Sequence, residues 1–298
     1  MTAVKIQRRL DPEKRAGLLF TLPFTIGFLI FTVVPILYAI YYSFTDYNVL
    51  NPETFVGLNN YIKMFTDDKV FWQALKATTL FSIISVPLRL IFALLIAMLM
   101  VRPSRMSSFY RAIYYVPSIM GGSVAISIVW RRFFASNGTL NSLLRLINIQ
   151  TNYAWLGYPA TAMGSLILLD MWQFGSAMLI FLAALKQIPQ DLYEAADVDG
   201  ASGMNRFFRI TLPMLTPTIF FNLIMQIISA FLQFTKSYII TEGKPMNSTL
   251  FYVVYLYYQG FKYYHMGYAC AMAITMLIIV GTVTYLIFAS KKRWVYEE

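Results

Sequence analysis

Six long apolar runs constrain this chain more than any other feature: about 18–42, 74–101, 109–129, 160–184, 215–234 and 267–289. A helix rises 1.5 Å per residue, so about 20 apolar residues cross the hydrocarbon of a bilayer. Backbone amides at that depth find no water, and a helix satisfies them within one segment. The expected fold is an all-α polytopic membrane protein with six transmembrane helices, a single transmembrane domain over residues 1–298. Prolines 23, 35, 87, 117 and 217 fall within or at the ends of the runs, as membrane helices tolerate. Composition agrees. Charged residues make up 13% and hydrophobic ones 58%, whereas soluble domains carry about 25% charged residues.

The net charge of +10 would suit nucleic acid only if it clustered on one face. Here the cations sit in short packets between apolar runs, the pattern that sets membrane topology. With the N-terminus in the cytoplasm, the inner segments hold Lys5, Arg8, Arg9, Lys14, Arg15, Arg102, Arg105, Arg111, Lys186, Arg206, Arg209, Lys291, Lys292 and Arg293. The outer loops hold Lys63, Lys69, Arg131, Arg132, Arg145, Lys236, Lys244 and Lys262. Fourteen against eight places both termini in the cytoplasm. The first apolar run is too long for a signal-peptide core and lacks a small-x-small exit, so it reads as a retained span. Cys270 has no second cysteine to pair with, and His265 is the single histidine. Neither points to a metal site.

One polar interval separates two apolar runs in the second half: QDLYEAADVDGASGMNRFFRITLP, residues 190–213. Asp191, with Glu194 three residues on, reads as an N-cap with a capping-box return. Residues 192–199 are good helix material and Gly200 supplies the stop. A second short helix is expected over 203–210, with Pro213 opening the next apolar run. Ala195 and Ala196, at the centre of the first helix, are too small to hold a partner away.

Glu194-Ala195-Ala196, then Asp199-Gly200-Ala201, then Ile210-Thr211-Leu212-Pro213 resembles the EAA loop of binding-protein-dependent ABC import permeases. Further likeness lies in Phe44-Thr45-Asp46-Tyr47, Phe55-Val56-Gly57-Leu58-Asn59-Asn60-Tyr61, Phe71-Trp72-Gln73-Ala74-Leu75 and Tyr114-Tyr115-Val116-Pro117. These patches are similar to the carbohydrate-uptake branch, and together they cover residues 15 to 289. Thr241-Glu242-Gly243-Lys244-Pro245 departs from the Gly-Gly-Pro usual there, which leaves the shape of that outer loop open. The resemblance implies the type I ABC importer permease fold, with the first span peripheral. It implies that 190–213 is a cytoplasmic coupling loop seated on an ATPase subunit, with Tyr193, Glu194, Ala195, Ala196, Asp199, Gly200, Ala201 and Arg206 at the contact. It also implies a second, related permease as heterodimer partner, two ATPase subunits holding ATP and Mg, and an extracytoplasmic solute-binding protein. The expected setting is a bacterial cytoplasmic membrane and its lipid.

No G-x-x-x-x-G-K-[ST] phosphate loop occurs, nor a G-x-S-x-G elbow, an H-E-x-x-H pair or a Cys/His cluster. The chain is therefore expected to be no enzyme and to bind no cofactor or metal itself, drawing its energy from partners. What remains is a substrate path. Asn222, Gln226, Ser229 and Gln233 recur at intervals of 4, 3 and 4, so they share one helical face. Amides offer donors and acceptors together, which suits a polyhydroxylated ligand better than an ion. The plainer alternative is interhelical glue. On the preceding span Asp170, Trp172, Gln173 and Ser176 form the matching set. Asp170 and Arg89 are mid-span charges, and either they pair or each reaches interfacial water separately. A tyrosine-dense stretch, 252–268, reads as an interfacial aromatic belt or a contact for a binding protein. The function expected is import of a sugar or oligosaccharide by alternating access. A polyol or glycerol phosphate ester is the near rival, and an ATP-independent transporter or scaffold the far one.

Overall fold

The computed structural model describes residues 12–101 and 105–296. Lys5, Arg8, Arg9 and Arg102 lie outside the described residues, as do the side chains of Lys14 and Arg15. The chain divides into two compact units, Met1–Ile62 with Gln259–Thr275, and Lys63–Tyr258 with Met276–Glu298.

In the first unit, α1 (Pro12–Phe28) passes through a π turn (Leu29–Val33) into α2 (Val34–Ser43). Pro35 has no amide hydrogen and its ring crowds the carbonyl four residues back, so the turn before it widens to π spacing. A short antiparallel hairpin follows, β1 (Thr45–Asn48) and β2 (Asn51–Phe55), paired Thr45↔Phe55 and Asp46↔Thr54. Asn48 Oδ1 closes its turn by accepting from the amides of Leu50 and Asn51 at 3.0 and 2.8 Å. The Asn60 amide donates to the carbonyls of Ser43 and Thr45, both at 2.9 Å, and the Tyr61 hydroxyl to Ser43 Oγ at 2.8 Å. Gly57 sits at φ +59°, a left-handed turn that glycine enters at little cost. The stretch Phe55–Tyr61 therefore ties the hairpin to the end of the first span. The hairpin is absent from an all-helical expectation because four- and five-residue strands are too short to show periodicity.

In the second unit, α3 (Asn59–Thr66) leads out of the first unit to α4 (Lys69–Leu99). Asp68 caps α4, its Oδ1 accepting from the amides of Val70 and Phe71 at 2.9 and 3.0 Å. Its other carboxylate oxygen accepts from the Tyr255 hydroxyl at 2.6 Å. Next come α5 (Ser107–Met120), α6 (Val124–Phe133), α7 (Thr139–Leu146), α8 (Pro159–Trp172) and α9 (Gly175–Leu185). After them follow α10 (Gln190–Val198), α11 (Gly203–Arg206), α12 (Leu212–Phe231) and α13 (Tyr252–Tyr257), and α14 (Met266–Ser290) belongs to this unit from Met276 on and to the first unit before it. The core gathers around α4, which packs on α8, α9, α12 and α13. Its buried side includes Ala74, Ala77, Thr78, Ser82, Ser85, Ala93 and Ala97, small residues that let membrane helices approach closely.

Among the described residues, four helices are long and apolar enough to span a membrane: Leu19–Ser43, Lys69–Leu99, Gly203–Phe231 and Met266–Arg293. Two bent pairs bring the number to six if each is one span. The third run, expected to be a continuous helix over 109–129, is broken between α5 and α6, which meet at 97°. Gly121-Gly122 supplies no side chain to hold a helix together, and Ser123 caps the restart by accepting from the Ile126 amide at 3.3 Å. The fourth run bends by 42° between α8 and α9. The groups exposed at that bend are satisfied by neighbours. The Gln173 carbonyl accepts from Arg89 Nη2 at 2.6 Å and from Ser118 Oγ at 2.9 Å, while Ser118 Oγ accepts from the Ser176 amide at 3.0 Å. The fifth span begins earlier than expected. Gly203–Phe231 is one rod running through a π turn (Phe207–Thr211), so the separate helix expected over 203–210 is its first turns.

Not every residue of the tyrosine-dense stretch is on the surface. Tyr252, Tyr255 and Tyr268 are buried. The loop that departs from Gly-Gly-Pro, expected on the outer side, carries Glu242 and Gly243 at φ 54° and 82° and a cis Lys244–Pro245 bond.

A Cβ at Gly175 would stand 2.1 Å from the Tyr114 carbonyl oxygen, whereas one at Gly164 meets nothing within 4 Å. Gly175→Ala should therefore lose about 1–3 kcal/mol, read as a lowered Tm in detergent. Gly164→Ala should be neutral or slightly stabilising. Equal Tm values for the two variants would contradict the close α5–α9 approach.

Candidate functional site

Two places carry chemistry. The first is the polar interval. The helix α10 starts at Gln190 with Pro189 before it and no side-chain cap, so the expected Asp191 cap is corrected. Asp191 lies inside the first turn, where it faces the positive end of the helix dipole. The helix ends as expected at Gly200. That residue has φ 71°, its amide donates to the Asp197 carbonyl at 3.1 Å, and the Ala201 amide donates to the Ala196 carbonyl at 2.9 Å. Ser202 Oγ then accepts from the Asn205 amide at 3.3 Å and starts the long rod.

Side chains lock the two helices together. Arg206 forms an ion pair with Asp197, and the Tyr193 hydroxyl lies 2.8 Å from Thr211 Oγ1. Tyr193 and Arg206 are thus half-buried braces of the loop. Glu194, Ala195, Asp199 and Gly200 are exposed, and Ala196 and Ala201 are half-buried. Apolar residues also stand free. Val198 is 89% exposed and Met204 67%, with Leu192 and Phe208 exposed beside them. Leu192, Ala195 and Val198 recur at intervals of three on α10, so they share a face. Sequence reasoning passed over Val198 and Met204 because a single apolar residue in a polar loop carries no pattern of its own.

The second place lies among α4, α9 and α12. Arg89, Ser176, Ile180, Phe221, Asn222, Met225, Gln226 and Ser229 line a cavity of about 310 Å³. Three of the four stripe residues, Asn222, Gln226 and Ser229, are therefore on one wall, with Ser176 and Arg89 on others. Asn222 is buried and its amide donates back to the Thr218 carbonyl at 3.0 Å. Gln226 and Ser229 make no side-chain hydrogen bond among the described residues.

Four expected path residues lie elsewhere. Gln233 follows the end of α12, because the helix stops at Phe231, and it does not line the cavity. The Gln173 side chain is spent on the helix break, its Nε2 donating to the Gly121 carbonyl at 2.9 Å. Trp172 stacks with Trp130 at 5.8 Å between centroids and faces a larger aromatic cavity of about 680 Å³ that also holds Phe92, Phe133 and Phe174. Asp170 is buried behind the small cavity in an ion cluster.

Of the two readings of the mid-span charges, the structure has them paired. Arg89 Nη1 is 3.6 Å from Asp170 Oδ1. The closer partner is one that charge counting placed in an outer loop. Lys236 bonds the same Asp170 oxygen and its side chain is 2% exposed. It sits just past the end of α12, at the start of a π turn (Ser237–Thr241) that is pinned by Ser237 Oγ donating to the Thr249 carbonyl. Loop position in the sequence did not reveal that this segment folds inward.

The model of the family described as binding-protein-dependent transport system inner membrane component matches residues 85–294. The probable ABC transporter permease protein YesP of Bacillus subtilis is 48% identical over 99% of this chain and 96% of its own length. The arabinooligosaccharides transport system permease protein AraP of the same organism is 34% identical over 91% of this chain and 87% of its own. A chain in the crystal structure of a bacterial alginate ABC transporter, in complex with alginate pentasaccharide-bound periplasmic protein, shares the fold at TM-score 0.81. Its identity is 24%, over 94% of this chain and 96% of that one. With the family model matching well over half its length, this chain belongs to the inner membrane components of binding-protein-dependent transport systems, the ABC importer permeases.

Proposed function

We propose that this chain is one of two permease subunits of an ATP-driven importer for a sugar or oligosaccharide in a bacterial cytoplasmic membrane, with both termini in the cytoplasm. The observation that carries the reading is the cavity wall of Asn222, Gln226, Ser229 and Ser176, neutral donors and acceptors at membrane depth beside Phe221. Amides and hydroxyls match the hydroxyls of a saccharide, and an aromatic ring matches its C–H face. AraP, named for arabinooligosaccharides, supports the substrate class.

The mechanism follows from one rod. Gly203–Phe231 carries Met204 and Arg206 of the polar loop at one end and Gln226 and Ser229 of the cavity at the other. Twenty-nine residues span about 43 Å at 1.5 Å each. A partner ATPase gripping α10 and the start of this rod displaces the cavity wall as a rigid body when it closes on ATP and Mg. Access then alternates between a substrate-loaded binding protein outside and the cytoplasm. Glu194, Ala195, Asp199, Gly200 and the exposed Val198 form the docking face, while Ala196, Ala201, Tyr193 and Arg206 hold its shape. A second permease completes the path.

Two outcomes test the reading. Ala195→Arg leaves the protein inserted and folded, because the residue is exposed, but lowers uptake in the reconstituted complex by about tenfold or more. Undiminished uptake contradicts the docking face. Gln226→Leu raises the half-saturating sugar concentration by about three- to tenfold without loss of assembly, and an unchanged value removes Gln226 from the path.

A further inference from the structure

The ion cluster behind the cavity is unbalanced. Asp170 Oδ1 pairs with both Lys236 Nζ and Arg89 Nη1, so one carboxylate serves two cations. Among the described residues no other carboxylate pairs with either of them. The sharing is unequal. Lys236 is in direct hydrogen-bond contact, whereas Arg89 stands at 3.6 Å. Arg89 is also the member that lines the cavity. Its Nη2 is held by the neutral Gln173 carbonyl, which cancels no charge, and its Nε is buried with no partner.

A net unit of positive charge at membrane depth is costly unless an anion approaches it. Arg89 is the member of the cluster that opens on a cavity a ligand can enter. A guanidinium presents a planar fork that matches a carboxylate. The remaining polar wall, Asn222, Gln226, Ser229 and Ser176, is neutral and fits hydroxyls. A phosphate monoester, at about −1.5 to −2, overshoots the single charge available. A monoanion balances it.

We infer that the transported saccharide is a uronic-acid-containing sugar that presents one carboxylate to this cavity, and that Arg89 receives that carboxylate. This rests on the reading of the chain as a saccharide permease. It adds the ionic character of the substrate and the residue that selects it.

The test uses the assembled transporter, both permeases with their ATPase subunits in nanodiscs, without the binding protein, so that the permease's own preference is read. The probes are digalacturonate, a glucuronate-containing disaccharide, the methyl esters of both, maltose and trehalose 6-phosphate. At least one uronate should bind about tenfold or more tightly than its own methyl ester. Arg89→Gln should bring that ratio close to one while Arg89→Lys keeps most of it. Should the Gln variant fail to assemble, the wild-type ratio of acid to ester decides alone. Equal or tighter binding of the esters or maltose overturns the assignment and leaves the saccharide-permease reading standing. Preference for the phosphorylated sugar overturns it too. If no saccharide is bound, nor taken up by liposomes carrying the complete importer with active ATPases, the broader reading fails as well.

Discussion

The second unit depends on what happens to Asp170. A carboxylate at the middle of an apolar helix is tolerable only with a partner, and here three segments converge to supply one. Arg89 comes from α4, Asp170 from α8, and Lys236 from the chain just past α12. Removing one member of such a buried cluster typically costs about 3–5 kcal/mol, because the rest is left uncompensated. The cluster therefore acts as a register pin. It sets the height of α4 against α8 and draws the segment after α12 back into the bundle. Arg89 in turn reaches the Gln173 carbonyl exposed at the α8–α9 bend. That bend positions Ser176 on the cavity, so the ion cluster and the cavity share their geometry.

Around this pin, close approach is achieved by absence of bulk. Membrane helices gain little from hydrophobic exclusion, so contact and hydrogen bonding hold them together. The small buried residues of α4 and the glycine at Gly175 let backbones meet, and the breaks in α5–α6 and α8–α9 are closed by Gln173, Ser118 and Arg89. A break in a membrane helix is sustainable when its freed polar groups find protein partners, and at both breaks such partners are in place. The same residues explain why two polar positions expected on the substrate path do not line the small cavity. Gln173 and Asp170 are consumed by the architecture.

The polar loop follows a different logic. It is built to be rigid and to leave one face open. The glycine-terminated α10, the Arg206–Asp197 pair and the Tyr193–Thr211 contact fix it, while Val198, Met204 and Phe208 remain exposed. Exposed apolar side chains on a braced element, rimmed by acidic residues, are what the proposed docking on an ATPase subunit would cover. Continuity of the rod from Gly203 to Phe231 then connects that surface to the cavity wall through one helical segment.

Residue type, periodicity and hydropathy alone were enough for the helical class, the positions of the first, second and last spans, the α10 stop at Gly200 and the shared face of Asn222, Gln226 and Ser229. Each of these is a local consequence of residue type along the chain: apolar length, glycine's access to positive φ, and the 3.6-residue turn. The breaks at Gly121 and Gln173, the inward fold of Lys236, and the removal of Trp172 and Gln233 from the cavity were decided by tertiary structure. They depend on which carbonyl or carboxylate lies opposite, and a partner 52 or 66 residues away in the chain leaves no trace in the local pattern.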